Sequence, residues 1–200
     1  MNPEFWDTRY DSEQFAYGTA PNAFLRARAL RLPAGGRVLL PGEGEGRNGV
    51  WLAEQGFAVT AVDYSATGLE KARALAEERG VTIDTVHADL TTWDWPESAF
   101  DGVAAIFFHL PEEYRRPLHR AMLNALRPGG RLLLEGFTKD QLDYGTGGPP
   151  VPEMLFDPAE LEEDFAAARL LELETEVRRL DEGPYHNGQA AVVHLVAERA

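Results

Sequence analysis

The sequence predicts an α/β fold: a doubly wound, mostly parallel sheet with helices on both faces, finished by an antiparallel hairpin. Three observations carry this. Five short apolar runs alternate with helix-forming stretches between residues 38 and 137; the first run enters a glycine-rich turn that leads into a helix; and the segment 170–197 holds two extended runs with only a turn between them. Strands separated by helices pair in parallel with right-handed crossovers, whereas two strands in direct succession form a hairpin. The sheet therefore has seven strands.

Each element has its own justification. Residues 38–40 form a strand that enters Gly42-Glu43-Gly44-Glu45-Gly46, where glycine permits a tight turn and the close approach of a ligand. The run 58–62 is a second strand ending in Asp63, and a parallel strand delivers such a carboxylate to the sheet's carboxyl edge. Residues 66–79, rich in Ala, Leu, Glu, Lys and Arg, form a helix closed by Gly80. A third strand over 81–87 precedes a loop that opens at Asp89 and contains Trp93 and Trp95. The apolar run 100–107 is a strand buried on both faces, 112–126 a helix closed by Pro128-Gly129-Gly130, and 131–137 the fifth strand. The stretch 140–154 is too rich in glycine and proline for regular structure and is a candidate lid. A helix over 158–167 then leads to strands at 170–180 and 190–197, joined through Glu182-Gly183-Pro184 and Asn187-Gly188.

Composition narrows the partners. With 200 residues, 44% of them hydrophobic, the chain can bury one substantial core. It divides into a helical cap (1–33), a cofactor-binding core (34–137), the lid loop (138–156), and a helix with the terminal hairpin (157–200). Nineteen Lys and Arg against 33 Asp and Glu give a net charge of −14, which repels phosphate backbones and anionic membranes. The absence of cysteine excludes disulfides and thiolate catalysis. The opening Met1-Asn2-Pro3-Glu4-Phe5-Trp6 has neither a basic start nor an apolar signal core, so a soluble, cytoplasmic protein is expected.

Glycine spacing separates two cofactor classes. A dinucleotide fingerprint counted from Gly42 requires glycine at 47, where this chain has Arg47; its third glycine is Gly46. That pattern, with Asp63 and then Asp89 after the next strand, resembles the class I S-adenosylmethionine-dependent methyltransferases. The string Gly44-Glu45-Gly46-Arg47-Asn48, the opening Phe5-Trp6-Asp7-x-Arg9-Tyr10, and the pairs Tyr17-Gly18 and Pro21-Asn22 resemble more narrowly the small tellurite-resistance and thiopurine methyltransferase-like branch. The resemblance implies a Rossmann-like fold and S-adenosylmethionine as cofactor. By the same resemblance, Asp63 accepts from the ribose hydroxyls, Tyr64 flanks the adenine, and Asp89 with Leu90 reads its edge. Gly42, Gly44 and Asn48 meet the methionine end, Trp6, Tyr10 and Tyr17 fold over the cofactor, and Ser65 and Ile106 complete the candidate set. Alternatives remain for several residues: Asp63 can cap the helix from Ala66, Asp89 can open a turn, and the aromatics can simply pack an N-terminal helix. Asn22 is a candidate helix cap. The chain departs from the family where an acidic residue usually precedes the first glycine by two positions, since Leu40 and Pro41 stand there. Glu43 is the candidate replacement for holding the methionine amino group, or else it points to solvent.

Methyl transfer is an in-line displacement, so alignment and exclusion of water dominate. Thiolates and chalcogen anions need no base, whereas a hydroxyl or an ammonium must first lose a proton. Ile106-Phe107-Phe108-His109-Leu110-Pro111 stands where methyltransferases of adenine or glutamine amino groups typically carry Asn/Asp-Pro-Pro-Tyr, so that substrate class is disfavoured. His109 is the candidate to orient or deprotonate an acceptor, or else caps the helix from Glu112. Tyr144 is the candidate acceptor-facing side chain of the lid. Tyr185, His186 and Asn187 lie in the terminal hairpin turn, either within reach of the sheet's carboxyl edge or, as the simpler reading, on a surface turn; His87, His119 and His194 read as structural, and no metal site is expected. The partner is expected to be a small acceptor (a thiol, a chalcogen oxyanion or a small metabolite), not nucleic acid and not a membrane. Two other readings stand beside this one: a non-catalytic S-adenosylmethionine-binding protein and an NAD-dependent oxidoreductase.

Overall fold

The computed structural model describes residues 3–200; Met1 and Asn2 of the expected cap lie outside the described residues. Strand β1 (Arg37–Pro41) is the middle of a parallel core between β2 (Ala58–Asp63) and β4 (Phe100–Ile106). Strand β3 (Asp84–His87) flanks β2, and β5 (Leu126–Phe137) flanks β4. The hairpin of β6 (Ala168–Asp181) and β7 (Asn187–Arg199) completes a seven-stranded sheet of order β3-β2-β1-β4-β5-β7-β6. Strand β7 pairs antiparallel with both β5 and β6. This is the doubly wound sheet with a terminal hairpin that the sequence predicts.

Among the described residues, six α-helices accompany it: α1 (Pro3–Tyr10), α2 (Ala23–Arg28), α3 (Arg47–Glu54), α4 (Ala66–Glu78), α5 (Glu112–Ala125) and α6 (Pro158–Asp164). Alternation along a strand sorts side chains to two faces. Leu39 of β1 joins a core with Leu118 and Met122 of α5 and Leu161 of α6, while its neighbours Val38 and Leu40 join Phe24 and Leu25 of α2 and Leu52 of α3. Both faces of β1 are thus covered, which is why its sequence is a continuous apolar run. Helix starts carry the residue types that cap them: Asn22, Ser65 and Asp157 accept the amides of Leu25, Gly68 and Ala159.

Several boundaries shift by a few residues: α6 ends at Asp164 rather than 167, and β7 spans Asn187–Arg199 rather than 190–197. The third strand starts at Asp84 rather than 81, because the amides of Gly80 and Val81 close α4 by donating to the carbonyls of Glu77 and Ala76. The fifth strand starts earlier, at Leu126, which pairs with Phe100; residues 127–130 bulge out before Arg131 resumes pairing opposite Gly102. The loop after β5 also contains short 3-10 turns at Lys139–Asp143 and Pro152–Met154, where irregular chain was expected. Gln141 anchors it by donating to Thr146 Oγ1 and the Gly147 carbonyl and accepting from the Ala191 amide.

Gly136 of β5 faces Phe156, and a methyl group there would overlap that fully buried ring. Gly136→Ala is therefore expected to cost about 1–3 kcal/mol, the usual price of overpacking. Its urea midpoint should fall accordingly; an unchanged midpoint would mean that Phe156 has room to move.

Candidate functional site

The strand order reverses between β1 and β4, and at such a point a crevice opens beyond the carboxyl ends of the strands. Pro41, Asp63 and Ile106 end the three strands that meet there. The turn after β1 places Gly42, Gly44 and Gly46 at φ 67°, 63° and 89°, a conformation strained for any residue with a Cβ. A Cβ on Gly46 would stand 2.7 Å from Ala72, so this glycine also sets how closely α3 approaches α4.

A cavity of about 590 Å³ lies over this turn. Of the residues expected at the cofactor, Trp6, Tyr10, Tyr17 and Tyr64 form its aromatic lining, and Gly42, Glu43, Asn48 and Ile106 its floor. A side chamber of about 50 Å³ adds Asp63, Leu90, Ala88 and Phe108. The Asp63 carboxylate is buried; Oδ2 accepts from the Gly44 amide at 2.9 Å and Oδ1 from the Ser65 amide at 2.8 Å. Each oxygen retains a lone pair beyond these bonds. Burial raises the Asp63 carboxyl above its ordinary value, against the lowering effect of those amides.

Glu43 folds back on the start of α3, where Oε1 accepts from the Asn48 and Gly49 amides at 2.9 and 2.6 Å. It faces the cavity rather than solvent, and burial pushes its carboxyl up to about 7 despite those amides. Leu40, in contrast, is fully buried in the apolar cluster it shares with residues of α2 and α3, and it lines neither cavity. Asn48 accepts the Asn22 amide through Oδ1 at 2.9 Å.

Several expected residues take other places. Ser65 is fully buried as the cap of α4, and its hydroxyl donates to Asp7 at 2.6 Å. Gly44 is covered by Tyr10, whose hydroxyl would stand 2.6 Å from a Cβ at this position. Asp89 lines neither cavity: its Oδ1 accepts from the amide and hydroxyl of Thr91, so it opens a turn. Tyr144 also lies off the cavity; the loop reaches it instead through Gly147, Gly148, Pro149 and Pro150, because the 3-10 turn held by Gln141 directs Tyr144 elsewhere.

His109 lines both chambers, yet neither ring nitrogen is free to accept an acceptor's proton. Nε2 accepts from the Phe137 amide at 3.1 Å, so Nδ1 carries the proton and donates to the Met154 carbonyl at 2.9 Å. Burial lowers this imidazole to about 4. The geometry makes His109 a tie between β5 and the loop rather than a base.

The far wall joins Phe107 and Phe137, for which no role was expected, to Tyr185 and His186, for which a surface turn was the simpler expectation. Phe107, at a left-handed φ of 51°, and Phe137 face Tyr185 and His186 of the β6–β7 turn. Such strain in a non-glycine residue concentrates at functional sites. Arg9 stacks on Tyr185, its guanidinium 4.1 Å from the ring centre, and donates to the Tyr17 hydroxyl. Arg47 is buried and paired with Glu182 at 3.0 Å. The aromatic Tyr185 beside His186, on a hairpin that returns to the sheet's functional edge, was the available sequence signal.

The chemistry of this donor set fits an adenosyl amino acid. A half-satisfied carboxylate suits a diol, the slot beside Tyr64 and Leu90 suits a flat base, and Glu43 with the start of α3 suits an amino acid's two charges. Among the described residues, no group of three or more His, Asp or Glu side chains could hold a metal ion, and no helix is long and apolar enough to cross a membrane.

Known proteins resemble this chain in sequence and in fold. The model of a family described as a methyltransferase domain matches residues 38–130. Thiopurine S-methyltransferase from Pseudomonas fluorescens is 28% identical over 75% of this chain and 75% of its own length. Phosphatidylethanolamine N-methyltransferase from Cereibacter sphaeroides is 31% identical over 66% of this chain and 67% of its own length. The chain spans about half the length of other curated relatives, 54% and 47% in two of them, and a further one acts on tRNA 5-carboxymethoxyuridine. The crystal structure of TehB from Haemophilus influenzae superposes with a TM-score of 0.71 at 20% identity, over 99% of this chain and 67% of that one, a likeness of fold.

Proposed function

The chain belongs to the class I S-adenosylmethionine-dependent methyltransferases, and from that premise we propose that it methylates a small soluble acceptor bound between Phe107, Phe137 and Tyr185. One observation carries the proposal: a single cavity of about 590 Å³ joins the glycine turn to an aromatic wall. Small-molecule sites typically occupy about 300–1,000 Å³. An apolar, ring-lined wall favours an organic thiol or hydroxyl over a bare chalcogen oxyanion, and the net charge of −14 disfavours tRNA.

S-adenosylmethionine, when bound, supplies a methyl group on a positively charged sulfur. In the proposed site Asp63 holds the ribose hydroxyls, Tyr64 and Leu90 border the adenine, and Glu43 receives the ammonium group in place of the acid absent at Leu40. Helix α1 and the loop residues Pro149 and Pro150 exclude water, which strengthens every polar contact within.

Calorimetric titration tests the reading. S-adenosylmethionine and S-adenosylhomocysteine should bind at micromolar concentrations and NAD should not, after which thiols, phenols, selenite and tellurite are screened for methylation. Binding of NAD alone would return the chain to the oxidoreductase reading; binding of the sulfur cofactors with no acceptor methylated would support a non-catalytic role.

Glu43 gives the site a pH signature. With its carboxyl raised to about 7, an incoming ammonium selects the ionised form, so affinity should rise roughly fivefold from about pH 6 to about pH 7.5, above which the ligand's own α-ammonium begins to lose its proton. Glu43→Gln should flatten that rise relative to the native protein. Parallel pH profiles would place Glu43 away from the ammonium.

A further inference from the structure

The turn between β6 and β7 carries a histidine unlike the others. Of the five histidines, His87, His109, His119 and His194 each have a ring nitrogen hydrogen-bonded within the protein. His186 is only 5% exposed, and its Nδ1 is buried without a hydrogen-bond partner, 3.7 Å from Glu182 Oε2. Its ring is packed by Tyr17 at 4.4 Å, Phe107 at 4.6 Å and Phe137 at 5.3 Å between centres. The ring borders the main cavity beneath Gly147.

Glu182 is itself fixed. Arg47 pairs with Oε2 at 3.0 Å, Asn22 donates to Oε1 at 3.0 Å, and Arg178 stands 3.4 Å from Oε1. Burial alone would raise this carboxyl, but His186 and Arg47 outweigh it and hold it at about 2. A fixed carboxylate beside Nδ1 selects the tautomer with its proton on Nδ1, which leaves Nε2 as a lone pair.

We infer that His186 is the group that takes the proton from the methyl acceptor, oriented by Glu182, and that the acceptor enters the site protonated, as a phenolic or enolic hydroxyl or a thiol on a flat ring. The inference rests on the methyl-transfer reading above. The acceptor's proton passes to Nε2 and its electron pair forms the bond to the methyl carbon, while the cofactor sulfur keeps the pair of the broken bond and loses its positive charge. That charge reappears on the imidazolium, beside Glu182. The groups that set the basicity of His186 come from four elements: Glu182 on its own turn, Arg47 on α3, Glu135 on β5, and the neighbouring His109. Burial keeps the ring neutral before reaction; Glu182 and Glu135 favour the protonated form and Arg47 opposes it.

Nitrogen-15 NMR of the histidine rings tests the assignment without turnover. His186 should show a protonated Nδ1 and a bare Nε2 at pH 7, and Glu182→Gln should perturb that ratio. A proton on Nε2, or a charged ring at neutral pH in the free protein, would overturn the inference. Kinetically, His186→Asn and His186→Gln should slow methylation of thiophenol or of a phenol by about 100-fold below the acceptor's own pKa. Cofactor affinity should be unchanged, and the deficit should shrink above that pKa, where the acceptor arrives as the anion. Equal loss at every pH in both variants would make His186 part of the wall and nothing more. If the native protein binds S-adenosylmethionine but methylates neither probe, the methyl-transfer reading fails, whereas the tautomer result still judges His186.

Discussion

Asp63→Ala is expected to weaken S-adenosylmethionine binding by roughly 1.5–3 kcal/mol, the range for hydrogen bonds to a charged group, and to destabilise the free protein as well. The second effect follows from the first pair of bonds the carboxylate makes. Without it, the amides of Gly44 and Ser65, both buried, lose their acceptors, at about 1–3 kcal/mol for each orphaned donor. Because the two losses share one side chain, the titration must be run well below the variant's melting temperature. Asp63→Asn separates them: it keeps one oxygen for an amide but lacks the charge, so it should recover stability more than affinity. Native affinity in a folded Asp63→Ala protein would remove this residue from the cofactor site.

Arg47→Met should cost about 3–5 kcal/mol of stability, the usual result of stripping one partner from a buried ion pair. Methionine replaces the stem and removes the guanidinium, so Glu182, whose side chain is 10% exposed, is left with Asn22, a longer contact to Arg178 and the His186 ring at 3.7 Å. Urea unfolding at pH 7 reads the loss directly. The pH dependence gives a second check. The Glu182 carboxyl stands at about 2 in the folded protein against an ordinary 4.5; a depressed value contributes stability that is complete above the unfolded value and lost as pH falls toward the folded one. The gap between native and variant should therefore be full at pH 7 and narrow between about pH 4.5 and pH 2. A constant gap would place the effect in packing of the arginine stem.

What the sequence made legible was whatever local residue types encode. Gly42, Gly44 and Gly46 announce a turn with left-handed backbone, and they occupy one; the direct succession of two extended runs announces a hairpin, and β6 and β7 form it. Asn22 was readable as a cap because capping involves a neighbour three residues away. The site was less legible because its contacts are distant in sequence. His109 was a candidate base until its ring met the Phe137 amide and the Met154 carbonyl, 28 and 45 residues on. Arg47 could be read as the absence of a glycine and as part of the string 44–48, but not as an ion-pair partner, since Glu182 lies 135 residues away. His186 belongs to a turn, and turns usually face water; here Tyr17 and the loop at Gly147 roof it over.

The buried polar cluster also bears on how the protein holds together in time. Asn22 donates to Glu135 at 2.5 Å and to Glu182 at 3.0 Å, joining segments 113 and 160 residues apart. Contacts closing such long loops tend to form after the main folding barrier, since the entropy of bringing their ends together must first be offset elsewhere. Interactions made on the native side of that barrier slow unfolding and leave the folding rate nearly untouched. The cluster is thus expected to act as a latch, setting how long the native state persists while the apolar strands set how fast it is reached.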